Sequence, residues 1–483
     1  MQGARKQITS EGFSALRVCS DLRDFIDSGR TRRTYLLETE EFLDYIVDSV
    51  DAVASSVRHD IETDIPDELL EAKLRDLGEI KRALVWVYTF AKQAIEADSL
   101  SIPFSLATYI NYIAQEIQRP STAKIVVVGS PNLMYYKWNL GNLRDLSTRL
   151  ASKVNGYPVL GGEIGLLMFP YCGAKEVLVN CDLFHEMGHY IYETTDLESK
   201  INTQIANSLA RFIEDSGLMN GLEAPLFVAN RLYNYVRGLL LTWADEIFAD
   251  ILAIRVLGPA FHLAYLELQQ VLRVSTATDP SGGSEVGAEN AFSETHPADN
   301  FRFKLHAKWL KQCGWCEVIQ QYAFEVFAYL EAYEKLKMEA FTINCPVPIH
   351  QIAEREGDIH KWMLNQVEKL VETVEACVSK KLENVPNPHD DYKHTAEHVM
   401  SCLEHGVVPS TGRNPEGLKI HPRPTTLLNA GFFFFLGGME RLLQRVKSKA
   451  NPIEKRLHYE KRLNEWLAKA IDDWQILRME HKL

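Results

Sequence analysis

The residues with the clearest chemistry are His185, Glu186, Met187, Gly188 and His189, read in order along the chain. Two histidines four residues apart share one face of an α-helix, one turn apart, where both imidazoles can bind a single metal. Glu186, between them, can reach a water held by that metal. Zinc lowers the pKa of such a water to about 7, and a neighbouring carboxylate can then accept its proton as hydroxide attacks a carbonyl. The pattern therefore makes His185 and His189 metal ligands, Glu186 a general base and Zn2+ the expected cofactor. Gly188 costs a helix about 1 kcal/mol relative to Ala, so it is expected to mark the close approach of another backbone or side chain. The motif is short, and an amphipathic helix with two solvated histidines would also carry it. The flanking Leu183, Phe184, Met187, Tyr190 and Ile191 argue otherwise, because they make the helix apolar nearly all round. Buried histidines need partners, and one metal serves both.

Two histidines do not complete a zinc site. The segment from Trp243 to Ala253, WADEIFADILA, offers the third ligand. At helical spacing Glu246, Ala249, Asp250 and Ala253 fall on one narrow face, and Ile247, Phe248, Ile251 and Leu252 cover the rest. An acidic strip on an otherwise apolar helix calls for a cation, and its two alanines allow close approach. Glu246 is the expected ligand. Asp250, one turn later, is expected to accept a hydrogen bond from a ligand histidine. A third element, Thr295 to Arg302, reads THPADNFR, with Pro297 suited to the first turn of a helix. His296 could reach over the metal and stabilise a tetrahedral oxyanion, and Arg302 could anchor the segment on a carboxylate.

These three pieces, in this order, resemble the gluzincin peptidases, zincins in which HExxH is followed by a downstream Glu ligand. The nearest pattern is that of the HtpX-type peptidases, HExGH, then ExxAD, then THPxxxxR; here they read HEMGH (185–189), EIFAD (246–250) and THPADNFR (295–302). The resemblance implies His185, His189 and Glu246 as zinc ligands, Glu186 as general base, Asp250 as support for a ligand and His296 as a transition-state group. It covers roughly residues 157–310. Membrane-embedded members of that group carry transmembrane helices, which this sequence lacks, so their substrate and location do not carry over. Gluzincin-like peptidases usually take substrate as an added strand on a sheet edge, and the stretches between Gly156 and Pro170 are placed in sequence to offer one.

The elements that must hold these residues follow from periodicity. The expected fold is mainly α, with a small β-sheet beside the active-site helix and a gluzincin-like catalytic core embedded in helical domains. Residues 1–120 read as a helical N-terminal region, 121–330 as the metallopeptidase core and 331–483 as a helical C-terminal region. Apolar residues recur at helical spacing from about Glu40 to Gln118, and Lys124–Gly129 is a short β-branched run closed by Gly. Gly156–Gly161 and Glu163–Pro170 suggest one or two further strands. Ser275 to Thr295, rich in Ser, Gly, Thr and Asp, is the clearest long loop, a length usually tied to function or mobility.

The chain has 483 residues, 46% hydrophobic and 24% charged, with a net charge of -13. That balance suits a soluble protein of two or three packed units and disfavours nucleic acid or an anionic membrane as the main partner. The eight cysteines are scattered, unlike a small disulfide framework. No apolar signal segment opens the sequence, and the apolar run Leu427–Leu436 is too short to span a bilayer. The expected location is cytoplasmic, with reduced thiols and no membrane span. Cys313-Gly-Trp-Cys316 has redox spacing without the strand that would support it, and is expected to pack within a helical stretch, Trp309 to Tyr322. Glu186 and His189 also form an ExxH, but Ala249 stands where a second ExxH from Glu246 would need His. His350, His360, His389, His394 and His398 read as surface residues. The favoured function is zinc-dependent hydrolysis of a peptide or protein substrate. A zinc-binding interaction protein with little catalysis, and a metallohydrolase acting on a non-peptide amide, are the other readings.

Overall fold

The computed structural model describes residues 2–63, 65–97, 102–119, 123–130, 135–138, 141–160, 164–170, 173–277, 288–413, 419–446 and 451–481. The chain divides into two compact units, Met1–Lys175 and Glu176–Leu483. Both are built mainly from α-helices, and the described strands form only small sheets.

The first unit opens with α1 (Gln2–Arg30), α2 (Leu37–Glu62), α3 (Leu70–Glu96) and α4 (Phe104–Gln118), followed by β1 (Lys124–Ser130), β2 (Tyr136–Trp138), α5 (Gly141–Ala151) and β3 (Ile164–Pro170). Helix α1 packs on α2 and α3. The apolar faces that make these helices amphipathic supply the core, with Phe42, Ile46, Val50 and Val53 of α2 and Leu84, Val87 and Phe90 of α3 all buried. Strand β3 lies centrally in the order β1-β3-β2, parallel to β1 and antiparallel to β2. Every β3 residue is buried, so its sequence is an unbroken apolar run rather than an alternating one. At β1, the buried Asn111 of α4 accepts from the Ile125 amide at 2.7 Å and donates to the Ile125 carbonyl at 2.8 Å. The side-chain amide thus satisfies backbone groups that would otherwise be left open. The strands expected at 124–129 and 163–170 are present, whereas the described residues 157–160 are irregular.

The second unit carries α6 (Leu183–Glu193), α7 (Leu197–Ser216), α8 (Pro225–Leu257), α9 (Pro259–Ala277), β4 (Ala291–Phe292), α10 (Asp299–Gln312), α11 (Cys316–Tyr322), α12 (Phe324–Glu334), β5 (Thr342–Ile343), α13 (Glu356–Lys381), α14 (Pro388–Glu404), β6 (Gly412–Arg413), β7 (Lys419–Ile420), α15 (Pro424–Phe433), α16 (Met439–Arg445) and α17 (Pro452–His481). Helix α8 is its axis, in contact with α6, α7, α9, α10 and α13. Its C-terminal half is buried almost all round, from Trp243 through Leu257. Gly258 ends it at φ 71°, a conformation that costs Gly little. Asn429 of α15 then closes the corner into α9: its Nδ2 donates to the Leu257 carbonyl at 2.6 Å and its Oδ1 accepts from the Ala260 amide at 2.8 Å. The apolar run is core from Leu427 through Phe434, while Leu436 at its end is exposed. Among the described residues no helix is long and apolar enough to cross a membrane.

Some expectations need correction. Helix α9 continues to Ala277, three residues into the stretch read as a loop; residues 278–287 lie outside the described residues, and Ala288–Asn290 forms a 3-10 turn leading into β4. Cys313 and Cys316 do not sit inside one helix. Gly314, at φ 84°, breaks α10 from α11, and both thiols are free. His389 is buried rather than superficial, with its ring centroid 5.0 Å from that of the buried Trp315.

The α6–α8 crossing explains Gly188. A Cβ at that position would lie 2.5 Å from Ala249 Cα and 2.9 Å from Ala249 Cβ. The obstacle is backbone, so a methyl group cannot be accommodated by a rotamer change. We expect Gly188→Ala to destabilise the protein by about 1–3 kcal/mol through overpacking, although Ala favours an isolated helix by about 1 kcal/mol. Urea unfolding of the two proteins measures the balance; equal or greater stability of the variant would disprove the close-approach account.

Candidate metal centre

Helix α6 presents His185 and His189 one turn apart, and α8 presents Glu246 opposite them. The helix contact at Gly188 and Ala249 is what lets the three side chains meet. His185 Nε2 and His189 Nε2 stand 3.0 Å apart. The Glu246 carboxylate lies 3.4 Å from the first and 3.5 Å from the second. One potential ligand atom from each residue falls within 4.8 Å of the others, so the group could hold a metal ion.

Each histidine is also held from behind by a carboxylate. His189 Nδ1 lies 2.8 Å from Asp245 Oδ1. His185 Nδ1 lies 3.0 Å from Asp250 Oδ1, and its ring stacks nearly parallel on Phe261, 6.1 Å between centroids. A carboxylate behind Nδ1 favours the Nδ1–H tautomer and turns the Nε2 lone pair toward the metal position. With both rings so arranged, two lone pairs and a carboxylate converge at close range. Such a cluster repels itself unless a positive charge sits within it.

The electrostatics express the same demand. Burial alone would lower the pKa of His185, but Asp250 and Glu246 outweigh it and push it up to about 10. His189 is raised likewise, with Asp245 and Glu246 overcoming burial. Burial would raise Glu246, yet His189, His185 and Arg302 hold its carboxyl well below the usual range. A proton on the histidines meets the demand for charge in the absence of metal, and a metal cation takes over that role on binding. The donor set, two imidazoles and a carboxylate with carboxylates behind the imidazoles, fits such an ion.

The other expected residues are also brought together. Arg302 of α10 is buried and grips Asp250 through two parallel contacts, Nε to Oδ2 and Nη2 to Oδ1, each 2.7 Å. Its Nη1 lies 3.4 Å from Glu246 Oε2, and its guanidinium covers the Tyr265 ring at 4.6 Å. His296 is half exposed, with Nε2 3.6 Å from Glu246 Oε1. Its segment is pinned to α8, because Trp243 Nε1 donates to the Ser293 carbonyl at 2.8 Å while the Ser293 amide donates to the His296 carbonyl at 2.9 Å. Glu186 is 7% exposed and has no ion-pair partner among the described residues.

Sequence reasoning missed Asp245, Asp182, His262 and His306. Asp245 directly precedes Glu246, but it lies off the Glu246/Asp250 strip that drew attention. Asp182, just ahead of α6, is buried with no hydrogen-bond partner on either oxygen. Burial pushes its pKa well above the usual carboxyl value. His262 and His306 lie in otherwise unremarkable helix sequence, and only the fold brings them close to Asp250.

Because His185 is protonated at neutral pH without metal, metal uptake must displace that proton. Titrating metal-free protein with zinc at pH 7.5, in two buffers of different ionisation enthalpy, should report release of about one proton or more per ion. Release should diminish as pH rises past about 10, where His185 is already neutral. Binding with no proton release at pH 7.5 would contradict this account of the site.

Neither a family model, nor a curated protein, nor a solved structure matches this chain.

Proposed function

We propose that the protein is a zinc-dependent peptidase of the gluzincin type, with His185, His189 and Glu246 as zinc ligands and Glu186 as general base. One observation carries the reading. A His–His–Glu cluster that could hold a metal ion has its two histidines on the same helix as a buried carboxylate, Glu186, that no ion pair consumes. A site built only to hold a metal has no need of that free carboxylate.

When bound, zinc supplies Lewis acidity, which lowers the pKa of a coordinated water to about 7 and polarises a carbonyl. The chain's own residues do the rest. Glu186 takes the proton of the attacking water and returns it to the leaving amine nitrogen. Glu246 contributes an anionic ligand whose charge is kept by the surrounding cations. Asp245 and Asp250 fix the orientation of the two imidazoles. His296, half exposed and on the accessible side of Glu246, is placed to donate a hydrogen bond to the oxyanion that develops on the substrate carbonyl. Arg302 holds Asp250 in place and does not need to touch substrate.

The test pairs metal content with peptidase rate on the same purified variants, using a peptide library as substrate. Glu186→Gln keeps shape and removes basicity. It should retain zinc and lose hydrolysis by roughly 10²–10⁴-fold. Glu246→Gln should instead weaken zinc binding itself. His296→Ala should keep zinc and lose turnover. Asp250→Asn should reduce zinc affinity or activity by about 10–100-fold. A Glu186→Gln protein that cleaves at the wild-type rate would refute the mechanism. Zinc binding without hydrolysis of any peptide by the wild type would favour a zinc-binding interaction protein or a hydrolase of non-peptide amides.

A further inference from the structure

Behind the Asp250 carboxylate, α9 and α10 bury two more histidines that take no part in the chemistry above. His262 is 1% exposed and His306 fully buried. Their Nδ1 atoms stand 3.1 Å apart, and His306 Nε2 lies 3.3 Å from Asp250 Oδ2. We propose that His262 and His306 are positioning residues: a buried imidazole pair that backs the Asp250 carboxylate and so fixes the ring of His185. The proposal rests on the reading of His185 as a metal ligand.

The proton positions follow from what each contact permits. An imidazole lone pair 3.3 Å from a carboxylate oxygen would be repelled, so His306 carries its proton on Nε2. Deep burial keeps this ring neutral against the opposing pull of Asp250, which leaves a lone pair on its Nδ1. Two ring nitrogens 3.1 Å apart need one proton between them, because two lone pairs repel and two N–H groups collide. His262 therefore supplies it as the Nδ1–H tautomer. Burial, reinforced by His306, holds His262 neutral as well. The result is a directed pair in which His262 donates to His306, whose Nε2–H lies 3.3 Å from Asp250 Oδ2 as an electrostatic contact and not as an aligned hydrogen bond.

The pair has a function at its far end. Oδ1 of Asp250 faces Arg302 Nη2 and His185 Nδ1, while Oδ2 faces Arg302 Nε and His306 Nε2. Arg302 makes two hydrogen bonds to the carboxylate, and the two imidazole nitrogens, His185 Nδ1 and His306 Nε2, lie 3.0 Å and 3.3 Å from it as electrostatic contacts. Gripped by Arg302 and flanked by both rings, the carboxylate is held in one orientation. The one donor contributed by α6 is then His185 Nδ1–H, which turns His185 Nε2 toward His189 and Glu246. Aromatic walls enclose the pair, with the Phe261 and Tyr265 centroids 5.4 Å and 5.5 Å from His306 and Phe303 5.9 Å from His262. With both rings this deeply buried, losing a donor leaves its partner in a low-dielectric setting where the loss is costly.

The test measures zinc affinity of the full chain by competition with a chromophoric chelator, so it needs no substrate. His306→Leu fills the space and removes the donor. His306→Gln restores an N–H near the position of Nε2. At the second ring, His262→Leu removes the donor and His262→Asn restores one near Nδ1. Each Leu variant should bind zinc about 10–100-fold more weakly than wild type, and its Gln or Asn counterpart should recover most of that loss. A residue that merely packs would show the reverse order, because Leu is the better core residue. In 15N-histidine-labelled wild type, long-range ring correlations should show His306 as the Nε2–H tautomer and His262 as the Nδ1–H tautomer, a readout independent of any variant. Leu variants that bind zinc as tightly as wild type, or the opposite tautomer at His306, would overturn the proposal. Failure of the wild type to bind zinc at all would instead count against the metallopeptidase reading on which it rests.

Discussion

Burying an ionised carboxylate costs several kcal/mol unless hydrogen bonds and opposite charge offset the lost water. Asp250 is fully buried, and the centre of the second unit is arranged around meeting that cost. Arg302 supplies the charge and two aligned donors, while His185 and His306 face the remaining positions. Those partners come from α6 and α10, and Asp250 itself from α8. One carboxylate therefore ties three helices into a single arrangement. Its cations hold its pKa well below the usual range against the effect of burial, so it remains an anion and a fixed acceptor.

The same region carries more negative than positive charge. Glu246 and Asp250 are ionised, Asp245 faces His189, and Arg302 is the cation shared between Glu246 and Asp250. Burial shifts the balance at Asp182 toward its neutral form, raising its pKa well above the usual carboxyl value. The imbalance is absorbed by the histidines, whose raised pKa values are its signature. A divalent ion resolves it more completely than protons do, because it attracts the lone pairs of both rings and the carboxylate at once. The close approach at Gly188 and Ala249 is the geometric counterpart of this electrostatic one. A side chain at position 188 would separate the helices that bring the three ligand groups together.

What could be read in the sequence was set by the range over which each signal acts. His185, Glu186 and His189 are legible because helical spacing alone puts them on one face. Glu246 and Asp250 are legible because an acidic strip on an apolar helix is anomalous in itself, and Gly188 because it opposes helix propensity. Asp245 escaped because its role depends on the direction of His189, not on the strip. His262 and His306 escaped because neither has a local partner: they are 44 residues apart and meet only after the α8–α9 corner, closed by Asn429, turns α9 back. Composition misled at Ser275–Ala277, where a polar, small-residue sequence still continues a helix. It misled again at Cys313–Cys316, where the periodicity on either side hid a left-handed glycine. The mainly helical class and the small sheet were legible. The grouping of that sheet with the N-terminal helices, in Met1–Lys175, was not, because it depends on packing across many residues.

The two ligand histidines are supported unequally, and the inequality has a direction. The carboxylate behind His185 has no solvent exposure and is itself clamped, whereas the Asp245 side chain behind His189 is 31% exposed and meets a single ring. Water screens an exposed pair and weakens its hold. His185 thus has a fully buried carboxylate behind it, and His189 a partly exposed one. His296, also solvent-facing, lies near the Glu246 oxygen that faces His189, not the one that faces His185. The solvent-facing groups, Asp245 and His296, thus both lie on the His189 side of the cluster. The opposite side is closed by Asp250, Arg302 and the two inner histidines, so burial and charge pairing hold His185 where solvent screens His189.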